Sequence, residues 1–335
     1  MDFLKDVIKE IGDDYATVAN KIDDTERTVD TGSYILNALV SGSVFGGVSG
    51  NKITAIAGET STGKTYFSLA IVKNFLDKHP DGGVMYFDTE SAITKGLLES
   101  RGIDLERVGI INVVTIEQFR NRALTVVDKY LGLEESDRKP MMFVLDSLGM
   151  LSTEKEIRDA LDDKQVRDMT KSQLVKGAFR MLTLKLGQAN VPLIVTTHTY
   201  DVIGAYVPTK EMGGGSGLKY AASTIIYLSK GKEKDGTEVI GNIIKAKTVK
   251  SRLSRENRQV SIRLYYDERG LDRYYGLLDL AEKHGVIKKV ANRYEIDGKK
   301  VYAKEIYKNP EKYFTPELMQ ALDEVSVKEF TYGGE

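Results

Sequence analysis

The 335-residue sequence contains no cysteine and only three histidines. The absence of cysteine excludes disulfide bonds and thiolate metal sites, and it is compatible with any reducing compartment. There is no apolar run of about eighteen residues, which excludes an ordinary transmembrane helix. The N-terminal stretch MDFLKDVIKEIGDDYA carries acids and lacks the apolar centre of a signal peptide. The net charge of −1 gives no global signal for nucleic acid, so any basic surface must be local.

Apolar runs alternate with helical patterns in the first two thirds of the chain. The predicted strands are ITAIAG, VMYFD, VGIINV, MMFVLDS and PLIVTT. Helices are predicted between them over residues 64–78, 117–131 and 168–187. This order predicts an α/β fold with a mostly parallel sheet that is covered on both faces.

The two ends of the chain predict smaller elements. Apolar residues near the N-terminus recur at helical spacing, and this short amphipathic helix should dock on the main domain or on a neighbouring subunit. After residue 220, TIIYLS, VIGNIIKAK and QVSIRLYY predict an antiparallel extension of the sheet. The helix GLLDLAEKHGVI and the hairpin YEIDGKKVY then predict a small α+β unit. We therefore expect three parts, residues 1–33, 34–275 and 276–335.

The sequence GETSTGKT matches the phosphate-binding pattern G-x-x-x-x-G-K-[ST] and lies between a predicted strand and a predicted helix. Its glycines allow a tight turn whose N–H groups, with the following helix N-terminus, face the phosphates. Lys64 should reach the β- and γ-phosphates, and the Thr65 hydroxyl should coordinate Mg²⁺. The predicted nucleotide-binding residues are Gly58, Glu59, Thr60, Ser61, Thr62, Gly63, Lys64 and Thr65.

Two further apolar strands end in acids. Asp146 ends MMFVLDS, which is the position of a carboxylate that holds the Mg²⁺ shell. Asp88 and Glu90 end VMYFDTES, and either could orient and polarise an attacking water. Because side chains alternate along a strand, both acids point to the same side, and geometry alone does not choose between them.

His198 ends the strand PLIVTT, just before a long glycine-rich segment. Ligand sites in parallel sheets gather at the carboxyl ends of the strands, so His198 should lie at the edge that holds the phosphate-binding loop. The segment KAKTVKSRLSRENR, residues 245–258, contains six basic residues and one acid. It is compatible with a solvated edge strand, or with side chains that reach DNA phosphate or the nucleotide of an adjacent subunit.

In this order and at these intervals, GETSTGKT, YFDTESAI, FVLDSLGML, PLIVTTHT and MGGGSGLKYAAS resemble the RecA family of homologous-recombination ATPases, and within it the phage recombinases of the UvsX type. The resemblance implies a RecA-type core and a DNA-dependent ATPase that uses ATP and Mg²⁺. It implies helical filaments on single-stranded DNA, homologous pairing and strand exchange. The implied partners are single-stranded DNA, homologous duplex DNA, further copies of the chain, and single-strand-binding and mediator proteins. The implied location is the cytoplasm of a bacterial or phage-infected cell, and no membrane is among the implied partners.

The resemblance also assigns roles to individual positions. Glu90 matches the family's catalytic glutamate, which acts beside Lys64, and Asp146 matches the Mg²⁺-binding strand end. His198 stands where bacterial members have a glutamine that senses the γ-phosphate. Two basic residues that reach the neighbour's ATP across the filament interface are matched by Lys250 and Arg252. The candidate anchor for subunit docking is Val29.

DNA contact is implied for residues 152–167 and 199–216, the first and second DNA-binding loops of the family. The first is acidic, so contact there should rest on backbone N–H groups. In the second, the isoleucine of an Ile-Gly pair would enter between base triplets, and the glycines would let the main chain approach phosphates. The implied DNA-contacting residues are Arg180, Ile203, Gly204, Gly213, Gly214, Gly215 and Ser216.

Two other functions use the same nucleotide motifs, a hexameric replicative helicase and a regulatory ATPase switch that binds proteins. About 30 residues precede the predicted core, too few for the helical collar domain of a helicase. A protein-binding switch would show no stimulation of hydrolysis by single-stranded DNA. The family's adenine-contacting tyrosine is absent after Glu90, where Leu97 takes the matching position.

Overall fold

The computed structural model describes residues 2–12, 28–163, 170–202, 210–296 and 298–333. Its α-helices are α1 (Asp2–Ile11), α2 (Tyr34–Ser41), α3 (Lys64–Lys78), α4 (Lys95–Ser100), α5 (Ile116–Leu131), α6 (Glu154–Leu161), α7 (Lys171–Ala189), α8 (Gly215–Ala221), α9 (Leu277–Lys283), α10 (Ala303–Lys308), α11 (Pro310–Tyr313) and α12 (Pro316–Phe330). Its strands are β1 (Thr28–Val29), β2 (Val48–Ser49), β3 (Ile53–Gly58), β4 (Gly83–Asp88), β5 (Val108–Asn112), β6 (Met141–Asp146), β7 (Leu193–Thr197), β8 (Thr199–Asp201), β9 (Lys210–Met212), β10 (Thr224–Asp235), β11 (Glu238–Ser251), β12 (Gln259–Tyr265), β13 (Lys288–Val290), β14 (Arg293–Ile296) and β15 (Lys299–Tyr302).

Eight strands form the central sheet, in the order β12-β11-β10-β3-β7-β6-β4-β5. The six strands from β10 to β5 run parallel to their neighbours, whereas β11 and β12 pair antiparallel. The predicted mostly parallel sheet with an antiparallel extension is therefore confirmed. The carboxyl ends of β3, β7, β6 and β4 share one edge of this sheet, which brings the residues that follow these strands together.

The sheet is covered on both faces, and the strand residues alternate between two apolar clusters. On β6, Met142 and Val144 join the cluster that contains Phe67 and Phe75 of α3. Phe143 and Leu145 join the opposite cluster, under α5 and α7. Burial on both faces explains why the strand reads as an uninterrupted apolar run in the sequence.

Helices occupy the predicted positions, and the structure adds others, including one in the acidic segment at 152–167. There the structure has helix α6, whose N-terminus carries a capping box between Thr153 and Glu156. The Thr153 hydroxyl accepts a hydrogen bond from the Glu156 N–H, and the Glu156 carboxylate accepts one from the Thr153 N–H. Such reciprocal bonds stabilise a helix start, so the described part of this segment is helical rather than a loop.

The two ends of the chain are packed differently. Helix α1 exposes an apolar face, on which Phe3 is 75% exposed and Leu4 60%. In contrast, α12 packs on α2, where Asp323 accepts hydrogen bonds from the Ser43 hydroxyl at 2.6 Å and the Val44 N–H at 2.9 Å. The apolar residues of α12 belong to the same cluster as α3. The division of the chain near residue 276 remains a prediction.

The predicted C-terminal hairpin is present, since β14 and β15 pair antiparallel. Together with β13 they form a three-stranded sheet beside the short helices α10 and α11. Over the described parts of the chain, no helix combines the length and the apolar character that crossing a membrane would need.

Candidate nucleotide site and the adjoining hairpin

The loop GETSTGKT joins β3 to α3, and its backbone leaves the start of the helix open. Gly63 caps the 15-residue helix with a left-handed φ of 86° and offers no side chain to the first N–H groups. A Cβ atom on Gly58 would lie 2.5 Å from the Thr62 hydroxyl and 2.9 Å from the Leu228 carbonyl oxygen, so only glycine fits there. N–H groups without a side-chain cap at a helix N-terminus are suited to binding phosphate oxygens.

Lys64 lies under this loop with its side chain largely buried. Its Nζ donates hydrogen bonds to the carbonyl oxygens of Gly58, at 3.0 Å, and Glu59, at 2.8 Å. Burial lowers the pKa of Lys64, whereas the carboxylates of Asp146 and Glu90 act in the opposite direction. The ammonium is therefore held by two acceptors beside the N-terminus of α3, where an anion would bind.

Asp146 ends β6 with its carboxylate buried and oriented by two hydroxyl groups. The Tyr86 hydroxyl donates to Oδ2 at 2.8 Å, and the Thr196 hydroxyl donates to Oδ1. Burial and the adjacent Asp146 carboxylate raise the pKa of Tyr86 well above its ordinary value, so the phenol stays a donor. A carboxylate has about four acceptor positions, and those left over can receive the water ligands of a metal ion.

The residues fit a magnesium ion that is held mainly by a nucleotide. Within the described ranges there is no group of three or more histidines, aspartates or glutamates that would hold a metal by itself. Mg²⁺ at phosphate-transfer sites is usually bound by one or two protein oxygens, by water and by the phosphates. Thr65 and Asp146 carry oxygen atoms of the kind that such a site uses.

The structure distinguishes the two acids that strand alternation leaves equivalent. Asp88 is 3% exposed, and its carboxylate accepts hydrogen bonds from the backbone N–H groups of Glu90, at 3.0 Å, and Ile93, at 3.1 Å. The Glu90 side chain is 41% exposed and accepts a hydrogen bond from the Ser147 hydroxyl at 3.0 Å. Asp88 therefore shapes the turn after β4, while the Glu90 carboxylate faces the site.

His198 follows β7 and lies between Lys64 and Glu90. Its Nδ1 is 3.5 Å from the Lys64 Nζ, and its Nε2 is 3.9 Å from a Glu90 carboxylate oxygen. Burial and then the Lys64 charge lower the pKa of His198, while Glu90 and Asp146 partly oppose them. A histidine with a pKa below its ordinary value near 6.5 is mainly neutral at pH 7.

A hairpin missed in the sequence continues directly from His198. Strands β8 and β9 pair antiparallel, and the Gly213 N–H donates to the His198 carbonyl oxygen at 2.7 Å. Gly214 has a φ of 91°, and a Cβ atom there would lie 2.4 Å from the side chain of Leu148. Three-residue strands are too short to show periodicity, although the three consecutive glycines indicate a tight turn.

The remaining residues predicted to contact DNA lie on α7, on α8 or outside the described residues. Gly215 and Ser216 begin α8, and Arg180 is exposed on α7. The pair Ile203 and Gly204 lies outside the described residues, which stop at 202 and resume at 210. The structure therefore brings β8 and β9, the strands on either side of residues 203–209, to the nucleotide edge.

The residues predicted to lie at subunit interfaces have different environments. The Lys250 Nζ donates to the carbonyl oxygens of Lys219 and Tyr220, at 2.8 Å and 3.0 Å, at the C-terminal end of α8. Arg252 is exposed, two residues further along. Val29 is 3% exposed and pairs with Val48 in the β1–β2 ribbon, so this chain already covers the side chain that was expected to dock on a second subunit.

Several residues of the site were missed because their contacts depend on the tertiary arrangement. Tyr86 and Thr196 orient Asp146 from neighbouring strands, and nothing local in the sequence distinguishes them from ordinary strand residues. Lys230 of β10 donates to the Thr60 carbonyl oxygen at 3.3 Å. Lys210 of β9 forms an ion pair with Glu59 of the phosphate-binding loop.

Comparison with known proteins agrees with these motifs. The family model of the RecA N-terminal domain matches residues 2–272 of the sequence. The recombination and repair protein of Enterobacteria phage T4 is 33% identical over 274 residues, which cover 82% of this chain and 68% of that protein. Protein RecA of Paracoccus denitrificans is 30% identical over 302 residues, covering 89% of this chain and 78% of the relative. Protein RecA of Paenarthrobacter aurescens is 28% identical over 281 residues, covering 82% and 76%. The chain therefore belongs to the RecA family of DNA recombinases.

Proposed function

We propose that the chain is a DNA-dependent ATPase that assembles into helical filaments on single-stranded DNA and pairs that strand with homologous duplex DNA. The observation that carries this proposal is the position of His198. It lies within 4 Å of both Lys64 and Glu90, and the next residues form the hairpin that flanks the second DNA-binding segment. Nucleotide and DNA would therefore act on one continuous piece of chain.

ATP binding is assigned to the loop from Gly58 to Thr65. The N–H groups at the start of α3 would bind phosphate oxygens, and the Lys64 ammonium would leave the two carbonyl oxygens for the β- and γ-phosphates. Thr65 and Asp146 would hold Mg²⁺, which neutralises developing phosphate charge when it is bound. The buried hydroxyl donors on Asp146 keep its carboxylate in one orientation.

Hydrolysis is assigned to Glu90 as the group that orients and polarises water. Its carboxylate is the exposed one of the two acids after β4, and the Ser147 hydroxyl holds it beside Asp146. Lys64 would stabilise charge on the transferred phosphoryl group. Asp88 is not a candidate for this step, because its carboxylate oxygens accept backbone hydrogen bonds inside the turn.

His198 is assigned the role of γ-phosphate sensor. A neutral imidazole can donate from one nitrogen and accept at the other, so it can bond to a phosphate oxygen and to a second group together. Its carbonyl oxygen is already bonded to Gly213 at the root of the hairpin. A shift of the ring towards phosphate would therefore be transmitted to both flanking strands of the DNA-binding segment.

Filament assembly is assigned to surfaces that the single chain leaves open. The apolar face of α1 is exposed and suits docking on a neighbouring subunit better than the buried Val29 does. Lys250 and Arg252 would reach the neighbour's nucleotide, with Lys250 first leaving the carbonyl oxygens at the end of α8. ATP would then be bound between subunits and would stabilise the assembly.

On the DNA side, Arg180 and the glycines of the second segment are proposed to bind the backbone of the strand, and Ile203 is proposed to enter between base triplets. Gly213, Gly214 and Gly215 would bring main-chain N–H groups close to phosphates without reading sequence. Filament formation would offset the cost of unstacking bases, which is about a few kcal/mol per step.

Electron microscopy of the protein with ATP and single-stranded DNA tests the proposal against its alternatives. A recombinase gives helical filaments that require both ligands, whereas a hexameric helicase gives closed rings. If the protein binds ATP but forms no assembly on single-stranded DNA, a protein-binding ATPase switch would be favoured and the proposal would be contradicted.

A further inference from the structure

The phosphate-binding loop makes a side-chain contact with the hairpin that leads into the second DNA-binding segment. Glu59, the second residue of GETSTGKT, forms an ion pair with Lys210 at the start of β9. The Lys210 Nζ also lies 3.6 Å from a carboxylate oxygen of Asp201, its register partner on β8. Lys210 therefore bridges one carboxylate of the hairpin and one of the loop.

The two ends of the hairpin are held by contacts of different strength. At its root, the Gly213 N–H donates to the His198 carbonyl oxygen, and the Gly213 carbonyl oxygen accepts a hydrogen bond from the Thr197 hydroxyl. The Met212 N–H donates to the Tyr227 hydroxyl at 3.1 Å. At its outer end, Asp201 and Lys210 are exposed, and the contact to the phosphate-binding loop is the ion pair with Glu59. Hydrogen bonds fix the root, so the hairpin can tilt about it when the outer contact changes.

We propose that Lys210 is a positioning residue that couples the charge on the phosphate-binding loop to the placement of the hairpin, through its ion pair with Glu59. The inference rests on the proposed function, in which ATP binds at the loop and DNA at the segment between β8 and β9. ATP brings more negative charge to the loop than ADP does, and the attraction on Lys210 changes with that charge. The position of β9 thus follows the nucleotide state.

This route is distinct from the one through His198. His198 precedes β8 and acts at the root of the hairpin, whereas Lys210 begins β9 and acts at its outer end. An ion pair between exposed side chains is weakly stabilising, so the expected effect on coupling is about threefold.

The test measures the affinity for a fluorescent oligothymidine by anisotropy, once with a slowly hydrolysed ATP analogue and once with ADP. The quantity of interest is the ratio of the two affinities. Lys210→Gln and Glu59→Gln are each expected to lower this ratio about threefold, and the double variant no further, because both remove the same ion pair. Losses that multiply in the double variant, or a Lys210→Gln variant that weakens binding equally with both nucleotides, would overturn the inference.

A charge swap with a matched control separates coupling from direct DNA contact. The variant Glu59→Lys with Lys210→Glu restores the ion pair with reversed polarity, so the added charge of ATP repels the side chain at position 210, and the ratio is expected to fall below that of Lys210→Gln. The variant Lys210→Glu with Glu211→Lys has the same net charge but no partner for Glu59. Its affinity ratio should match that of Lys210→Gln. Equal ratios in the two double variants would contradict the inference.

The wild-type measurement distinguishes this inference from the function on which it rests. If wild-type protein binds the oligonucleotide equally with the ATP analogue and with ADP, the proposed function fails as well. If the wild-type ratio exceeds one and every Lys210 variant keeps it, the inference about Lys210 alone is wrong. Lys210→Arg keeps the charge and should keep the ratio.

Discussion

The nucleotide edge of the sheet and the hairpin beside it are built in contrasting ways. At the nucleotide edge, the functional groups of Lys64 and Asp146 are buried, and each makes two hydrogen bonds to groups on the loop or on neighbouring strands. The hairpin is exposed beyond its root and is held at its outer end by an ion pair. Packed groups that make several hydrogen bonds keep a fixed geometry, whereas a weakly held segment can move with little cost. The contrast separates a rigid candidate nucleotide site from a hairpin that is held more weakly at its outer end.

The largest effect is expected for Lys64→Ala, at the rigid side of the comparison. Loss of a cation at the transferred phosphoryl group should lower kcat for ATP hydrolysis by about a hundredfold or more. Lys73→Ala is the matched control, because Lys73 lies on the same helix and pairs with Asp77 at the surface. Steady-state hydrolysis assays on both variants check this. Equal hydrolysis rates for the two variants would show that Lys64 does not act in ATP hydrolysis.

Glu90→Gln and Asp88→Asn change two acids of the same turn, and the first should affect hydrolysis whereas the second should affect stability. Glu90→Gln should lower kcat about a hundredfold, as expected for loss of a group that polarises water, while ATP and DNA binding persist and the filament is trapped. Asp88→Asn weakens the carboxylate contacts to the N–H groups of Glu90 and Ile93, so the free energy of unfolding should fall by about 1–3 kcal/mol. Hydrolysis assays and denaturant titrations measure both effects. Normal turnover in Glu90→Gln would refute its assigned role.

His198→Ala should weaken the coupling between the nucleotide edge and the hairpin. Nucleotide affinity should stay within about twofold, while the gain in DNA affinity caused by ATP should shrink about fivefold, a typical size for a coupling energy. Nucleotide titrations and DNA-binding titrations with ATP and with ADP provide the numbers. An unchanged response of DNA affinity to ATP would show that the histidine is no sensor.

The smallest effect concerns the pH dependence of stability. Burial and Lys64 lower the pKa of His198, so the unfolded chain takes up a proton at this residue at a higher pH than the folded chain does. The His198 contribution to stability is therefore present above a pH of about 6.5 and is lost as the pH falls through the lowered pKa of the folded state. The difference in unfolding free energy between wild type and His198→Gln should shrink between pH 7 and pH 5. Parallel curves for the two proteins would mean that the pKa of His198 is not lowered.

The sequence predicts the central sheet well because buried parallel strands require long apolar runs. ITAIAG, MMFVLDS and PLIVTT all become central strands. The helices predicted at 64–78, 117–131 and 168–187 match α3, α5 and α7 to within about three residues at each end, whereas α6 and α8 are not predicted. The same physics places the phosphate-binding loop, Asp146 and His198 at one edge. These features follow from periodicity and topology, which are local or nearly local properties.

What the sequence leaves open depends on contacts between distant segments. Strand alternation does not separate Asp88 from Glu90, since the distinction comes from backbone N–H groups that fold back onto one carboxylate. The burial of Val29 depends on its partner strand β2, and the pairing of Glu59 with Lys210 joins residues 151 positions apart. In the acidic segment at 152–167, helix α6 covers Glu154–Leu161, and its start is stabilised by a capping box that charge content alone does not reveal.

The most direct test of the account is the ATP hydrolysis rate of the wild-type chain with and without single-stranded DNA. If nucleotide and DNA act on one continuous piece of chain through His198, saturating single-stranded DNA should raise the rate at least severalfold, and His198→Ala should abolish most of that increase. An identical rate with and without single-stranded DNA, under conditions in which the protein binds both ligands, would contradict the central claim.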